Sequence, residues 1–287
     1  MRRARRSRQR AIRLVITVVL GALVVAVGVI LAVSPRHRTF YLGHLGGATD
    51  TARASASAET SAPRGAGRGA RRTTVRVTVP TQDAEGRVRV PVADLVPWAL
   101  PAEGVPAGWD LKEFVGKPDV ELVRADGRLA LHLRSESSSF ALYRDVVVDP
   151  NVQPRLAWSW KVTRLPIDGD ARVPTRNDQA VGLYVVFPRW PAPLTTSEVL
   201  GYIWDSVAPV GTIVALPNAP NVRLIVVESG VGGLKEWRSY DRDVARDYAA
   251  VFGAAPGRVG KLALMSDADD TRGVGEAFVA DVRFQRR

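Results

Sequence analysis

The chain has 287 residues, 46% of them hydrophobic, which is enough to fold around a sizeable core. It contains no cysteine, so disulfides, thiolate metal sites, a thiol nucleophile and a cysteine-linked lipid anchor are excluded. The net charge of +11 is confined to one part of the chain. Residues 1–74 hold 14 arginines against Asp50 and Glu59, whereas the remainder holds 26 basic and 27 acidic residues. We therefore expect no nucleic-acid binding by the folded part, because it lacks a basic footprint.

An uncharged run of 20 residues, 14–33, follows seven arginines. As a helix rising 1.5 Å per residue, the run covers roughly the 30 Å hydrocarbon core of a bilayer. Because basic residues stay on the cytoplasmic side, we predict a transmembrane anchor over residues 14–34 after a basic cytoplasmic tail, residues 1–13. A cleavable signal peptide is the alternative. Its apolar region is shorter, about 7–15 residues, and Pro35 after the small residues 32–34 hinders cleavage.

Residues 35–73 are rich in Ala, Ser, Thr, Gly and Arg and poor in large apolar side chains, which predicts a flexible linker. From residue 74 the composition changes to that of a folded domain, residues 74–287. The expected location is the cell membrane, crossed once, with the lipid bilayer as a partner. The domain is expected to be periplasmic or extracellular.

Short runs rich in β-branched and aromatic residues, separated by Gly, Pro, Asn or Asp, fill this domain. They predict an all-β fold, an antiparallel β-sandwich of the jelly-roll type. One main helix is predicted over residues 241–252, with Val244, Tyr248 and Val251 on an apolar face and Gly253 after its end. The predicted strands are 75–79, 88–92, 120–123, 129–133, 140–148, 156–162, 181–187, 199–204, 213–216, 222–227, 262–265 and 278–284.

The acidic segment after one strand is the first candidate for chemistry. Asp267, Asp269 and Asp270 lie within four residues and precede Thr271. Like charges this close repel each other unless they bind a cation or hydrogen-bond donors. Two interpretations stay open, a calcium site formed by these four residues and an acidic turn held by its own backbone amides or by arginine. The domain's one histidine, His132, is interpreted as a surface residue of a strand, because no second histidine or nucleophile motif accompanies it.

Carboxylates also stand at the ends of other predicted strands. Asp178 opens one strand, and Asp205 and Glu228 end two others. A pair of carboxyl groups about 5–10 Å apart is what glycoside hydrolysis requires, although spacing in the sequence does not give that distance. All seven tryptophans lie in the domain, where they suit either the core or the stacking of sugars. Trp190, next to Pro191, is predicted to be the most exposed.

Nine stretches between residues 108 and 284 carry a resemblance to a known family. They are 108–114, 135–143, 154–160, 177–187, 201–204, 226–230, 242–253, 264–271 and 280–284. In these stretches the chain resembles the bacterial domain-of-unknown-function family 3047. The resemblance implies an exported β-rich domain and transfers no activity. Asn177 and Asp270 depart from the residues usual in that family. The family's shared polar positions correspond here to the ligand-binding candidates Asp178, Tyr202, Trp204, Arg242 and Asp243, and to Asp267, Asp269 and Thr271 of the acidic segment.

Three hypotheses for function follow. The first is binding of a glycan, such as an envelope polysaccharide, without catalysis. The second is a carboxylate-based glycan hydrolase or lyase, which requires two of the strand-end carboxylates to converge in a groove. The third is a protein-interaction module of an envelope complex, which requires an exposed apolar patch. The cofactor considered is calcium, bound by the acidic segment.

Overall fold

The computed structural model describes residues 79–189 and 196–286. The predicted tail, the anchor over residues 14–34, the linker and Trp190 lie outside these described residues. Within them, no helix is both long enough and apolar enough to cross a membrane. The anchor and the membrane location therefore stay predictions.

The described residues form two seven-stranded sheets and a helix. Sheet A has the strand order β12-β7-β14-β5-β4-β2, and β1 also pairs with β14. Its strands are β1 (Val88–Arg89), β2 (Ala102–Glu103), β4 (Asp119–Ala125), β5 (Arg128–Glu136), β7 (Arg155–Arg164), β12 (Arg238–Asp243) and β14 (Val274–Gln285).

Sheet B has the order β10-β11-β9-β8-β13-β6-β3. All pairs in both sheets are antiparallel except β9 and β11, which run parallel. The prediction of purely antiparallel sheets is therefore wrong at this one pair. Sheet B consists of β3 (Asp110–Val115), β6 (Ser139–Val148), β8 (Gln179–Phe187), β9 (Glu198–Asp205), β10 (Ile213–Leu216), β11 (Ala219–Ser229) and β13 (Val259–Asp267).

The two sheets pack face to face around one hydrophobic core. Leu131 and Trp158 of sheet A join Leu183 and Leu264 of sheet B in this core, and all four are almost fully buried. Side chains alternate between the two faces of a strand, so the residues between these point away from the core. We call the side of sheet B that faces away from sheet A its outer face. The all-β sandwich predicted from the sequence is confirmed.

The helix α1 (Val244–Phe252) lies between β12 and β13. Asp243 caps its N-terminus, because the Asp243 side chain accepts a hydrogen bond from the backbone N–H of Arg246 at 3.0 Å. Gly253 ends it in a left-handed conformation with φ of 71°, which glycine adopts without steric cost. The helix begins three residues later than predicted, because residues 241–243 belong to β12 and pair with β7.

The predicted strands from residue 120 onward all coincide with strands of the structure. The run predicted at 88–92 contains only the short β1, and residues 75–78 lie outside the described part. Three strands of the structure, β2, β3 and β12, were not predicted from the sequence. The sequences of β3 and β12 are rich in charged residues, as is common for strands at the edge of a sheet.

Candidate functional site

Three carboxylates meet at one end of sheet B. Asp178 stands directly before β8, Asp267 ends β13, and Asp269 lies in the turn between β13 and β14. The two strands are neighbours, and their register pairs Asp267 with Gln179. Each carboxylate has one oxygen atom that lies within 4.8 Å of an oxygen atom of each of the other two. We call Asp178, Asp267 and Asp269 the acidic cluster.

Asp178 is fully buried and fastens the turn that follows β13. Its Oδ1 accepts a hydrogen bond from the Asp270 N–H at 3.1 Å. Its Oδ2 accepts two more, from the Thr271 N–H at 2.8 Å and from the Thr271 hydroxyl at 2.5 Å. The Asp270 carboxylate in turn accepts a bond from the Asn177 N–H at 3.3 Å. Asp270 and Thr271, which the sequence grouped with the calcium ligands, thus hold the turn in place beside the cluster.

Asp267 is 7% exposed, and it lies next to two other carboxylates. Burial, together with the nearby Asp269 and Asp178, raises the pKa of Asp267 to about 10. Its Oδ2 accepts a long hydrogen bond of 3.4 Å from the Gln179 side-chain amide. Its Oδ1 has no hydrogen-bond partner among the described residues. The ionised form of Asp267 is therefore disfavoured unless a cation or further hydrogen-bond donors offset the neighbouring carboxylates.

A row of side chains crosses the outer face of sheet B beside the acidic cluster. The strand registers align Asp110, Tyr143, Ala263, Tyr184 and Gly201 on five neighbouring strands. Tyr143 and Tyr184 are half-buried, whereas Ala263 between them is buried. The parallel row next to it is Lys112, Ala141, Met265, Gly182 and Ile203. We call these two rows the tyrosine face.

Two glycines allow the Tyr184 ring to lie against the sheet. A Cβ atom at Gly182 would stand 2.5 Å from Tyr184 Cε2, and one at Gly201 would stand 2.9 Å from Tyr184 Cε1. Burial raises the pKa of Tyr184 well above its usual value, and Asp267 and then Tyr143 add to that rise. The Tyr184 phenol thus lies near both Asp267 and Tyr143.

Loops cover the other half of this outer face. Ala171 and Ala208 pack onto Ile203 of β9 and onto Leu224 of β11, forming a second, smaller hydrophobic cluster. Asp205 organises these loops, because its Oδ2 accepts a bond from the Ala171 N–H at 2.8 Å and its Oδ1 accepts a bond from the Ala208 N–H at 2.6 Å. Asp205 therefore has a structural role and does not join the acidic cluster.

Tyr202 and Arg242 meet each other away from the acidic cluster. The Tyr202 hydroxyl donates to Asp247 Oδ2 at 2.9 Å, and the Arg242 guanidinium donates to both Asp247 oxygens at 2.9 and 2.8 Å. This network joins β9 and β12 to α1. Burial, together with Asp247, raises the pKa of Tyr202 well above its usual value. The contacts of Tyr202 and Arg242 therefore hold α1 against the two sheets, which gives both residues a structural role.

Trp204 and Asp243 likewise have structural partners. Trp204 is fully buried in the core between the sheets, where its Nε1–H donates to the Gly230 carbonyl at 3.0 Å. Asp243 is the cap of α1. Of the ligand-binding candidates taken from the resemblance, Asp178 alone belongs to the acidic cluster, which it shares with Asp267 and Asp269 of the acidic segment.

His132 lies on the outer face of sheet A between two glutamates. Its Nδ1 is 2.9 Å from Glu121 Oε2, and its Nε2 is 3.0 Å from Glu276 Oε1. The ring stacks on Phe278 with centroids 4.4 Å apart. The Thr163 hydroxyl also donates to Glu276 at 2.6 Å. The interpretation of His132 as a strand residue agrees with this position.

Sequence reasoning missed three side chains of this region, namely Gln179, Tyr143 and Tyr184. A signal for Tyr184 was present, because alternation in β8 places it opposite the buried Leu183. Gly182 within the same strand is a further signal, since a glycine inside a strand often marks a close approach by another group. Alternation likewise places Tyr143 of β6 opposite the buried Leu142, whereas no comparable pattern marked Gln179.

Several solved structures of other proteins are similar to this fold. The family 11 carbohydrate-binding module of a Clostridium thermocellum cellulase matches with a TM-score of 0.39 and 7% identity, over 71% of this chain and 97% of that chain. An endoglucanase of Rhodothermus marinus matches with a TM-score of 0.37 and 10% identity, over 66% and 100%. The xyloglucanase domain of a type three effector from Sinorhizobium fredii matches with a TM-score of 0.37 and 9% identity, over 66% and 97%.

Comparison of the sequence itself gives a family. No curated protein is similar to the chain at a significant level. The model of a family described as a protein of unknown function, DUF3047, matches residues 107–283, which is more than half of the chain. This range contains both sheets of the sandwich apart from β1, β2 and the end of β14, and it contains the whole acidic cluster. The chain therefore belongs to the DUF3047 family.

Proposed function

We propose that the domain binds a carbohydrate chain across the tyrosine face and does not cleave it. The observation that carries this proposal is the row in which Tyr143 and Tyr184 flank the small Ala263 on an outer sheet face. Both tyrosines are half-buried, so each ring keeps some accessible surface in a fixed position. A flat ligand with polar edges matches such a surface.

The chemistry of the tyrosine face suits sugars. A tyrosine ring offers an apolar platform for the C–H groups of a sugar ring, and its hydroxyl offers one donor and acceptor for a sugar hydroxyl. Small residues beside the rings, Ala141, Ala263 and Gly182, leave room for a ligand to approach the sheet. Charged groups border the tyrosines, because Lys261 forms an ion pair with Asp145 on the strands that carry Ala263 and Tyr143.

The state of the carboxylates favours binding over hydrolysis. Asp178 has both oxygens engaged by three donors of the turn. Asp205 has both oxygens engaged by backbone N–H groups. A nucleophile or general base needs a free oxygen directed at the sugar, with the partner carboxyl about 5–10 Å away across an open groove. Asp178 and Asp205 are both fully buried, so neither directs such an oxygen at an open groove.

Presentation at the membrane surface is part of the same proposal. The predicted anchor and the linker of residues 35–73 would hold the domain beyond the bilayer, within reach of envelope polysaccharide. The support for this part comes from the sequence, namely the uncharged run that follows seven arginines.

Retention on glycans tests the proposal. The full chain, purified in mild detergent, is applied to a glycan array and to immobilised envelope polysaccharide. We expect retention by at least one glycan, and we expect Tyr143→Ala to weaken it by about 10-fold, which corresponds to roughly 1.4 kcal/mol for one lost stacking contact. Failure of the unaltered chain to bind any glycan would remove the proposal.

Trp98→Ala is the matched control. Trp98 is fully exposed, at 101%, and lies in the segment before β2, outside the two rows of the tyrosine face. Its removal tests whether any exposed aromatic ring suffices for retention. If Trp98→Ala abolishes retention and Tyr143→Ala does not, the binding surface is the apolar segment that also exposes Leu95 and Val96. That result would contradict the assignment of glycan binding to the tyrosine face.

A further inference from the structure

Buried oxygen atoms without donors surround the acidic cluster. Asp267 is 7% exposed and Gln179 is 1% exposed. Asp267 Oδ1 and Gln179 Oε1 are both shielded from solvent, and neither has a hydrogen-bond partner in the part of the chain that the structure describes. Leaving a buried polar atom unsatisfied costs about 1–3 kcal/mol, so two such atoms side by side require an explanation.

The Gln179 side chain is directed at the cluster. Its amide nitrogen is 3.4 Å from Asp267 Oδ2, which is long for a hydrogen bond. The oxygen and nitrogen of a glutamine amide exchange places when the group turns by half a rotation. After that rotation, Gln179 Oε1 faces the oxygens of Asp267. Oxygen atoms that face each other repel unless a positively charged group lies between them.

The available ligand atoms are all oxygens. Three carboxylates and one amide carbonyl form the set, and the chain has no cysteine. Oxygen ligands of this kind select hard cations such as Ca²⁺ and Mg²⁺. The three carboxylate oxygens lie within 4.8 Å of one another. Mg²⁺ keeps several of its waters and is usually bound through one or two carboxylates, whereas Ca²⁺ accepts several carboxylates together with amide carbonyls, so this set of four protein oxygens suits Ca²⁺.

We propose that Asp178, Asp267, Asp269 and the Gln179 carbonyl form a calcium-binding site. Asp178 has room for the ion, because a carboxylate has about four lone-pair positions and the turn occupies three of them. Asp267 and Gln179 supply the oxygens that otherwise lack partners. Asp269 is partly exposed and forms the side open to solvent, where water completes the coordination shell.

The ion joins segments that are distant in sequence. Asp178 and Gln179 begin β8, Asp267 ends β13, and Asp269 lies in the turn before β14. Bound calcium would therefore fix the end of sheet B that is nearest to Tyr184. This inference does not depend on carbohydrate binding, because it rests on the buried oxygens and not on the tyrosine face.

Calcium titration without any glycan tests the site. The full chain in mild detergent is stripped with a chelator and titrated with CaCl₂, with heat of binding and Tm as the two measurements. At a calcium concentration about 100-fold above Kd, we expect Tm to rise by roughly 5–10 °C. We expect MgCl₂ at the same concentration to give a smaller rise. No heat of binding and no change in Tm at about 10 mM calcium would overturn the proposal.

Two isosteric variants and a control complete the test. Asp269→Asn changes a partly exposed ligand and Asp267→Asn changes a buried one, so at least one of them is expected to fold normally. Each is expected to lower calcium affinity by 10-fold or more. Asp119→Asn, at a half-exposed carboxylate on sheet A, is expected to bind calcium as the unaltered chain does. Unchanged affinity in a folded cluster variant would also overturn the proposal, whatever the outcome of the glycan experiment.

Discussion

Asp178 and Thr271 are 93 residues apart in the sequence and are joined by two hydrogen bonds, one from the Thr271 N–H and one from its hydroxyl. A third bond reaches Asp178 from the N–H of Asp270. One buried carboxylate therefore fixes the turn between β13 and β14 against the start of β8. The turn carries Asp269, so this attachment also determines the shape of the acidic cluster.

The first prediction concerns this attachment. Asp178→Asn replaces one accepting oxygen by an NH₂ group that faces N–H donors. We expect a loss of about 2–4 kcal/mol in the free energy of unfolding, since a buried acceptor of several bonds is removed. Urea denaturation measures it. Asp281→Asn, at a carboxylate that is 52% exposed, is the control and should change stability by less than about 0.5 kcal/mol. An equal, small effect of both substitutions would contradict the assignment.

The second prediction uses the contact between Gly182 and Tyr184. In Gly182→Ala the new Cβ would lie 2.5 Å from the Tyr184 ring, so the ring must move away from the sheet. We expect a loss of about 1–3 kcal/mol in stability and weaker retention on glycans, although no aromatic residue is changed. Gly257→Ala is the control, because a Cβ there meets no atom within 4 Å. Full retention by Gly182→Ala would show that the position of Tyr184 is irrelevant to binding.

The third prediction separates packing from binding at Tyr202. Tyr202→Phe removes the hydroxyl that donates to Asp247, while the Arg242 guanidinium remains on that carboxylate. We expect a loss of about 1–2 kcal/mol in the free energy of unfolding and unchanged retention on glycans. Chemical denaturation and the glycan array measure the two quantities. A loss of binding at unchanged stability would restore Tyr202 as a ligand-binding residue.

The fourth prediction concerns acid stability. Partial burial disfavours ionisation of Glu276, but the hydrogen bonds from Thr163 and His132 outweigh it and hold the pKa of Glu276 below the usual 4.5. Folding therefore favours the ionised carboxylate. Its stabilising contribution is complete above the usual pKa and is lost as the pH falls through the lowered pKa of the folded state.

Glu276→Gln tests this pH dependence. We expect the variant to be less stable than the unaltered chain at pH 7, by about 1 kcal/mol, and the difference to shrink as the pH falls below about 4. Thermal unfolding between pH 3 and pH 7 measures it. Glu103→Gln, at an exposed position of β2, serves as the control. A difference that stays constant over the whole range would mean that ionisation of Glu276 does not contribute.

The fifth prediction concerns the anchor. The full chain is expected to sediment with membranes and to stay there after an alkaline wash, because a run of 20 uncharged residues is long enough to span the bilayer as a helix. A chain that begins at residue 35 and is directed out of the cytoplasm by a separate signal should be released as a soluble protein. Release of the full chain by the alkaline wash, at unchanged size, would contradict the anchor.

The sequence predicted the strands of the interior well and the edges poorly. Runs such as 181–187 and 262–265 either alternate between apolar and other residues or are apolar throughout, because one or both faces of their strands are buried. β12 reads Arg-Ser-Tyr-Asp-Arg-Asp and borders sheet A, where its charged side chains reach water. Such a strand depends on its pairing with β7 and has little hydrophobic pattern of its own.

The candidate site was only partly predictable for a related reason. The carboxylates of Asp267 and Asp269 were visible as a local cluster. Their meeting with Asp178 depends on the register between β8 and β13, which is set by the packing of the whole sheet and not by spacing in the sequence. The same holds for Tyr143 and Tyr184, which become neighbours only through Ala263 on the strand between them.

The position of β14 has a consequence for how the domain is made. β14 pairs with β1, β5 and β7, so it fills the middle of sheet A although it is the latest strand in chain order. Until residue 285 has been synthesised, β5 and β7 each lack a neighbour, and the core between the sheets lacks the side chains of Ala277, Val279 and Phe284. The domain therefore cannot complete sheet A or its core before its last strand has been synthesised, and completion depends on contacts between residues far apart in the chain.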